Sequence, residues 1–112
     1  MKAQVSVEGG ICGFSTCVRA EADESANVTF QIESECAKVR AFGEALALKG
    51  PVDAYAEIGE GADGVVLTTS RSVMKGCCAG CVVHAAAFKA LQVAGGLALP
   101  KDIALRISAD PG

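Results

Sequence analysis

The stretch Thr16-Cys17-Val18-Arg19-Ala20-Glu21-Ala22-Asp23-Glu24-Ser25-Ala26-Asn27-Val28-Thr29-Phe30-Gln31-Ile32-Glu33 decides the fold. Thr16, Val18, Ala20 and Ala22 alternate with Cys17, Arg19 and Glu21, which is the period of a half-buried strand. Asp23-Glu24-Ser25 is a polar turn, and beyond it Val28, Phe30 and Ile32 alternate with Thr29, Gln31 and Glu33. Two such strands on either side of a short polar turn pair antiparallel, each with one apolar face. Upstream, Ala3, Val5 and Val7 alternate with Gln4 and Ser6 until Gly9-Gly10 ends the run. The first third of the chain therefore reads as a three-stranded antiparallel meander with one face to bury.

The rest of the chain supplies its cover. After Ser34, a candidate N-cap, Val39, Phe42, Gly43 and Leu46 recur at helical spacing until Lys49-Gly50-Pro51 stops the segment. Pro51 to Glu57 fits one further helical turn. Glycines at 59, 61 and 64 then break any period, and Val65-Val66-Leu67 fits a short strand and a buried turn equally well. Cys81 to Ala94 reads as a second helix, with Ala85, Phe88 and Leu91 toward the core and Gly95-Gly96 as its stop. Ile103, Leu105 and Ile107 alternate after Pro100, the pattern of a last strand. The expected class is α+β: one domain over residues 1–112, a meander followed by helices packed on one face, with an extra C-terminal strand.

At 112 residues the chain can bury a real core without covalent staples. Half of its residues are apolar, but only four Phe and one Tyr are aromatic, so that core must be divided among small side chains. A formal net charge of −3 with scattered basic residues argues against a nucleic-acid surface, which requires clustered Lys and Arg. No apolar run is long enough to span a bilayer. The start, Met1-Lys2-Ala3-Gln4-Val5, lacks the apolar core of a signal peptide, so a cytoplasmic location is expected.

Six cysteines then stand out: Cys12, Cys17, Cys36, Cys77, Cys78 and Cys81. In a reducing compartment that number points to metal binding or thiol chemistry in place of disulfides. Cys12 sits in the turn Gly10-Ile11-Cys12-Gly13. Cys36 falls in the first turn of the first helix, where free N–H groups and the helix dipole favour an anionic sulfur. Cys78 and Cys81 form a C-x-x-C pair at the start of the second helix. Thiolates are soft ligands suited to zinc or iron–sulfur clusters, and a tetrahedral centre needs three or four of them converging from loops and helix starts. His84, three residues beyond Cys81, would share its helix face as an imidazole ligand or proton carrier. Cys17 is expected to point away from the apolar face beside Arg19, and Cys77 is a spare thiol.

The arrangement resembles the iron–sulfur cluster assembly scaffolds, the IscU and NifU N-terminal group, from Val5 to about Ala94. Cys12-Gly13 is similar to that family's cysteine in a turn between strands. Ser34-Glu35-Cys36-Ala37 is similar to its cysteine opening a helix after the third strand, and Cys78 or Cys81, ahead of Ala87-Phe88-Lys89-Ala90, to its third cysteine. The resemblance implies that these thiolates hold zinc or a nascent [2Fe-2S] cluster and accept sulfur from a cysteine desulfurase. The chain departs from the family in having Phe14 two residues after Cys12 where an Asp is usual, and Cys77 or Gly80 where a His usually precedes the third cysteine. Two other readings use the same residues: a thiol–disulfide or persulfide carrier in which Cys78 attacks and Cys81 resolves, and an interaction module with a structural zinc.

Overall fold

The computed structural model describes all 112 residues. Three strands form the expected meander: β1 (Lys2–Glu8), β2 (Ser15–Ala22) and β3 (Asn27–Ser34). The antiparallel register sets Val5 beside Val18 and Val18 beside Ile32, and likewise lines up Ala3, Ala20 and Phe30 across the sheet. Every apolar position of the three strands thus falls on one face. The other face carries Gln4, Arg19 and Gln31 in one row and Ser6, Cys17 and Glu33 in the next. That face stays open to solvent, with Arg19 and Glu33 paired across it.

Helix α1 (Ala37–Leu48) lies on β3 and buries Val39, Phe42 and Leu46. It approaches closely because position 43 has no side chain: a Cβ there would come within 3.1 Å of the Ile32 Cβ. Its N-cap is Cys36 and not Ser34, since residues 35 and 36 remain outside the helix. The Ser34 hydroxyl instead accepts from the Cys36 N–H at 3.1 Å and meets Thr16 Oγ1 at 2.7 Å, joining the ends of β2 and β3. A two-residue strand, β4 (Val52–Asp53), then pairs with β3. Asp53 caps α2 (Ala54–Glu60) by accepting the N–H groups of Tyr55 and Ala56.

The undecided segment after the glycines is helical. A 3₁₀ turn at Gly61–Asp63 leads into α3 (Val65–Val73). The cap of α3 comes from Glu57, a buried carboxylate that accepts the Val65 N–H at 2.7 Å and the Val66 N–H at 3.1 Å. It supplies acceptors to two of the donors that a helix start leaves without intrahelical partners. Another 3₁₀ turn, Gly76–Gly80, precedes α4 (Val83–Ala94). Helix α4 crosses β1 and β2 and buries Ala86, Ala87, Ala90, Leu91 and Ala94, so small residues bring it close to the sheet. Ala85, expected on that buried side, is exposed, and Phe88 is only half-buried.

The architecture is α+β, a four-stranded antiparallel sheet in the order β1-β2-β3-β4 with four helices, and α1 and α4 cover its apolar face. The expected C-terminal strand is absent from the sheet. Residues 98–112 carry no secondary structure and Ile103, Leu105 and Ile107 lie exposed, because the alternation specifies a strand face but the chain brings no partner to it. No helix is long and apolar enough to cross a membrane.

Candidate functional site

Each cysteine-bearing segment is held where it is by its flanking elements. Cys12 closes a 3₁₀ turn at the tip of the β1–β2 hairpin, between Gly10 and Gly13, whose φ angles of 71° and 72° only glycine adopts freely. The turn is clamped at its base by the Gly9 N–H donating to the Phe14 carbonyl at 2.9 Å. Its apex exposes Cys12 together with Ile11 and Phe14. Cys36 lies at the start of α1, its carbonyl accepting the Arg40 N–H, with no side-chain hydrogen bond of its own across the helix start. Cys77 and Cys78 lie in the 3₁₀ turn before α4, and Cys81 is the residue that ends it.

The topology puts these three segments at one pole of the sheet. The β1–β2 tip, the start of β2 and the end of β3 are adjacent by register, and the Glu35 N–H donates to the Ser15 carbonyl while the Glu35 carboxylate accepts from the Ser15 N–H. The first turn of α1 reaches the third segment directly, because Lys38 Nζ donates to the Lys75 carbonyl at 3.1 Å. The far end of α4, Ala94 to Gly96, lines a shared cleft with Met1 and the β2–β3 turn at the opposite pole. Its near end, with Cys78 and Cys81, is therefore on the cysteine pole. Cys17, the third residue of β2, lies near the same end of the sheet but on its open polar face, between Ser6 and Glu33.

All six cysteines are free thiols. Cys12 and Cys77 are exposed, and Cys17, Cys36, Cys78 and Cys81 are half-buried. No three Cys, His, Asp or Glu side chains converge tightly enough to hold a metal ion in this conformation. The pole gathers soft donors of the right chemistry but holds them apart.

His84 meets this region through the main chain. Its Nε2 lies 2.9 Å from the Cys78 carbonyl oxygen and its Nδ1 lies 2.7 Å from Ser70 Oγ. A carbonyl only accepts, so Nε2 carries a proton and donates to it. The Cys78 carbonyl also accepts the Cys81 N–H at 3.2 Å, so one oxygen ties the C-x-x-C turn to itself and to α4. Ser70 is fully buried on α3, and its hydroxyl also reaches the Leu67 carbonyl. With both ring nitrogens engaged, His84 orients the turn that carries the cysteines and presents no free nitrogen to a ligand. Sequence spacing finds that His84 and Cys81 are neighbours, but not that the bond runs to a backbone oxygen.

Residues 3–107 match the model of a family of unknown function, DUF6951, and the chain belongs to that family. No curated protein and no solved structure matches it.

Proposed function

We propose that this family member is a thiolate carrier for a soft metal cargo, an iron–sulfur cluster or zinc, held by Cys12, Cys36 and the Cys78/Cys81 pair. The observation that carries the reading is the gathering of three separate cysteine-bearing segments at one pole of the sheet, while the off-site thiol Cys17 is on the other face. Chance placement of thiols has no reason to select a hairpin tip, a helix start and the turn before another helix that all lie at one end. The order of elements and of cysteines is also what the likeness to the IscU and NifU N-terminal scaffolds implies. Under this reading the cytoplasm is the expected location and a cysteine desulfurase, or another cluster-assembly protein, the expected partner.

Loading requires the sulfurs to close on the cargo. The Cys12 turn is the element free to do so, since it is exposed and flanked by two left-handed glycines, whereas the Cys78 turn is pinned through His84. Ile11 and Phe14, exposed on either side of Cys12, would line that closure with apolar surface and keep water from the sulfur. An open conformation that closes on metal is consistent with coupling of binding to local ordering.

The test is anaerobic reconstitution with iron and sulfide, or with zinc, read by absorption spectra and metal analysis on the whole chain. Stoichiometric loading is expected for the unmodified chain and for Cys17→Ser, with sharp loss in Cys12→Ser and Cys36→Ser. Trace loading of the unmodified chain, or equal loss in Cys17→Ser and Cys36→Ser, would overturn the reading. Circular dichroism after chelation distinguishes a carrier, which keeps its sheet and helices, from a module folded around structural zinc, which does not.

A further inference from the structure

The segment Lys101–Ile107 has the alternation of a strand and lies outside the sheet. Ile103, Leu105 and Ile107 are 67%, 68% and 96% exposed, and in the sequence they alternate with Asp102, Ala104 and Arg106. Three large aliphatic side chains in such a row are costly to leave in water. The segment belongs to the region shared with the family, which runs to residue 107.

The sheet has one long open edge, β1. The Ala22 N–H donates to the Met1 carbonyl at 3.0 Å and the Gly9 N–H donates to the Phe14 carbonyl at 2.9 Å, so Met1/Ala22 and Gly9/Phe14 are hydrogen-bonded pairs at the two ends of the hairpin. Hydrogen-bonded and non-hydrogen-bonded pairs alternate along an antiparallel ladder. Ala3, Val5 and Val7 therefore bond to β2, and the N–H and C=O groups of Lys2, Gln4, Ser6 and Glu8 point out of the sheet. The other edge is shorter: β4 pairs with it at Asn27 and Val28, and Arg40 donates to the Ser34 carbonyl at its far end. On the covered face, Ala3 and Val5 of β1 are only half-buried, whereas Val18 and Ala20 beside them on β2 are buried.

We infer that Lys101–Ile107 adds as a strand to the β1 edge of a second copy of this chain, the two copies exchanging tails. A parallel register with Ile103, Leu105 and Ile107 beside Ala3, Val5 and Val7 continues the apolar face. It also sets Asp102 beside Lys2 and Arg106 diagonal to Glu8. The antiparallel register that keeps the same apolar row sets Asp102 beside Glu8, a like-charge pair that disfavours it. The two segments match in length, each seven residues.

The occupant is a second copy because of how the tail leaves the body. It departs after Gly95-Gly96, beside Met1, and Pro100 biases Leu99 toward an extended backbone. The tail then projects away, with every residue from Leu99 to Gly112 exposed and the longest dimension of the molecule reaching 50 Å against 27 and 24 Å. Reciprocal exchange of an identical element closes into a two-fold dimer in which both tails and both β1 edges are used.

The test uses the metal-free full chain under reducing conditions, so that neither disulfides nor cargo contribute. Its outcome is thereby independent of the thiolate reading. Light scattering after size exclusion should give twice the chain mass of 11.3 kDa. Hydrogen exchange should show the Gln4, Ser6 and Glu8 amides protected. Leu105→Asp, in an exposed tail, should leave the circular dichroism unchanged, give a monomer, and speed exchange at those three amides by about tenfold or more. A monomeric unmodified chain overturns the inference, whether those amides are protected by its own tail or not protected at all. A dimer that survives Leu105→Asp overturns it as well.

Discussion

Replacing His84 tests how the cysteine turn is held. The ring makes two hydrogen bonds, to the Cys78 carbonyl and to Ser70 Oγ. A net hydrogen bond contributes about 1 kcal/mol, and a buried group left without any partner costs ~1–3 kcal/mol more. That second penalty does not arise in His84→Leu, because the Cys78 carbonyl keeps the Cys81 N–H and the Ser70 O–H, released from Nδ1, turns to the Leu67 carbonyl. The expected loss is therefore about 2 kcal/mol, or roughly 8–12 °C in Tm for a domain of this size.

Two polar variants divide that loss. The Gln side chain places its amide nitrogen near the position of Nε2, so His84→Gln keeps the bond to Cys78. Asn is shorter and places its polar atoms near Nδ1, so His84→Asn keeps only Ser70. Each should lose about 1 kcal/mol. They should differ at the turn: alkylation of the half-buried Cys78 thiol should be faster in His84→Asn and His84→Leu, and close to the unmodified rate in His84→Gln. Thermal denaturation and residue-resolved alkylation by mass spectrometry read both quantities. Equal Cys78 rates in the Gln and Asn variants, at matched stability, would refute the idea that His84 acts on the turn through the carbonyl.

Four other perturbations have signs fixed by the structure. Glu57→Ala removes the acceptor of two N–H groups at the start of α3 and should cost about 3–5 kcal/mol in urea denaturation, because charge-assisted bonds to a buried carboxylate are lost. A Cβ at Gly64 would lie 2.6 Å from Glu57 Oε2, so Gly64→Ala should destabilise the native chain yet cost little in the Glu57→Ala background, a coupling that a double-mutant cycle reads. Thr69→Val should stabilise by about 1 kcal/mol in thermal denaturation, since the Thr69 hydroxyl is buried without a hydrogen-bond partner and Val matches its shape. Asp23 has its pKa held below the ordinary carboxylate value, chiefly by the Asn27 N–H, with the Ser25 N–H and the Asn27 side chain adding to it. Its contribution is therefore full above the unfolded-state value and lost as pH falls through the lower folded-state value. Urea midpoints of the unmodified chain and Asp23→Ala should differ most above the ordinary carboxylate pKa and converge as pH falls below it.

The meander was legible because alternation and burial agree there: each of its strands presents an apolar row on the face that α1 and α4 cover, so the period carries the whole message. Helix α3 was not legible. Val65-Val66-Leu67-Thr68-Thr69 is dominated by β-branched residues, which favour strands, and the N-cap position is Gly64, which has no side-chain acceptor to mark a start. Its cap is a carboxylate from the preceding helix, at Glu57, across three glycines. A cap supplied by a tertiary contact leaves no trace in the local pattern.

The same distinction separates what could be read of the thiol site from what could not. That three cysteines share a pole follows from element order alone, since a hairpin tip, the next strand's end and a helix returning over the sheet are fixed by topology. The bond from His84 to a main-chain oxygen has no residue-type signal at its acceptor end, so spacing assigns the imidazole to the nearest thiol. Yet the main-chain bond has the larger consequence for chemistry. A His that ligated directly would add one donor to the centre; a His that fixes the Cys78 carbonyl holds the turn bearing both Cys78 and Cys81 against α4. Under the proposed function, capture of cargo would set this pinned turn against a Cys12 turn bounded by two glycines of positive φ. Gly13→Ala, which strains the Cys12 turn at φ 72°, should impair loading while leaving the Cys78 and Cys81 turn as it is.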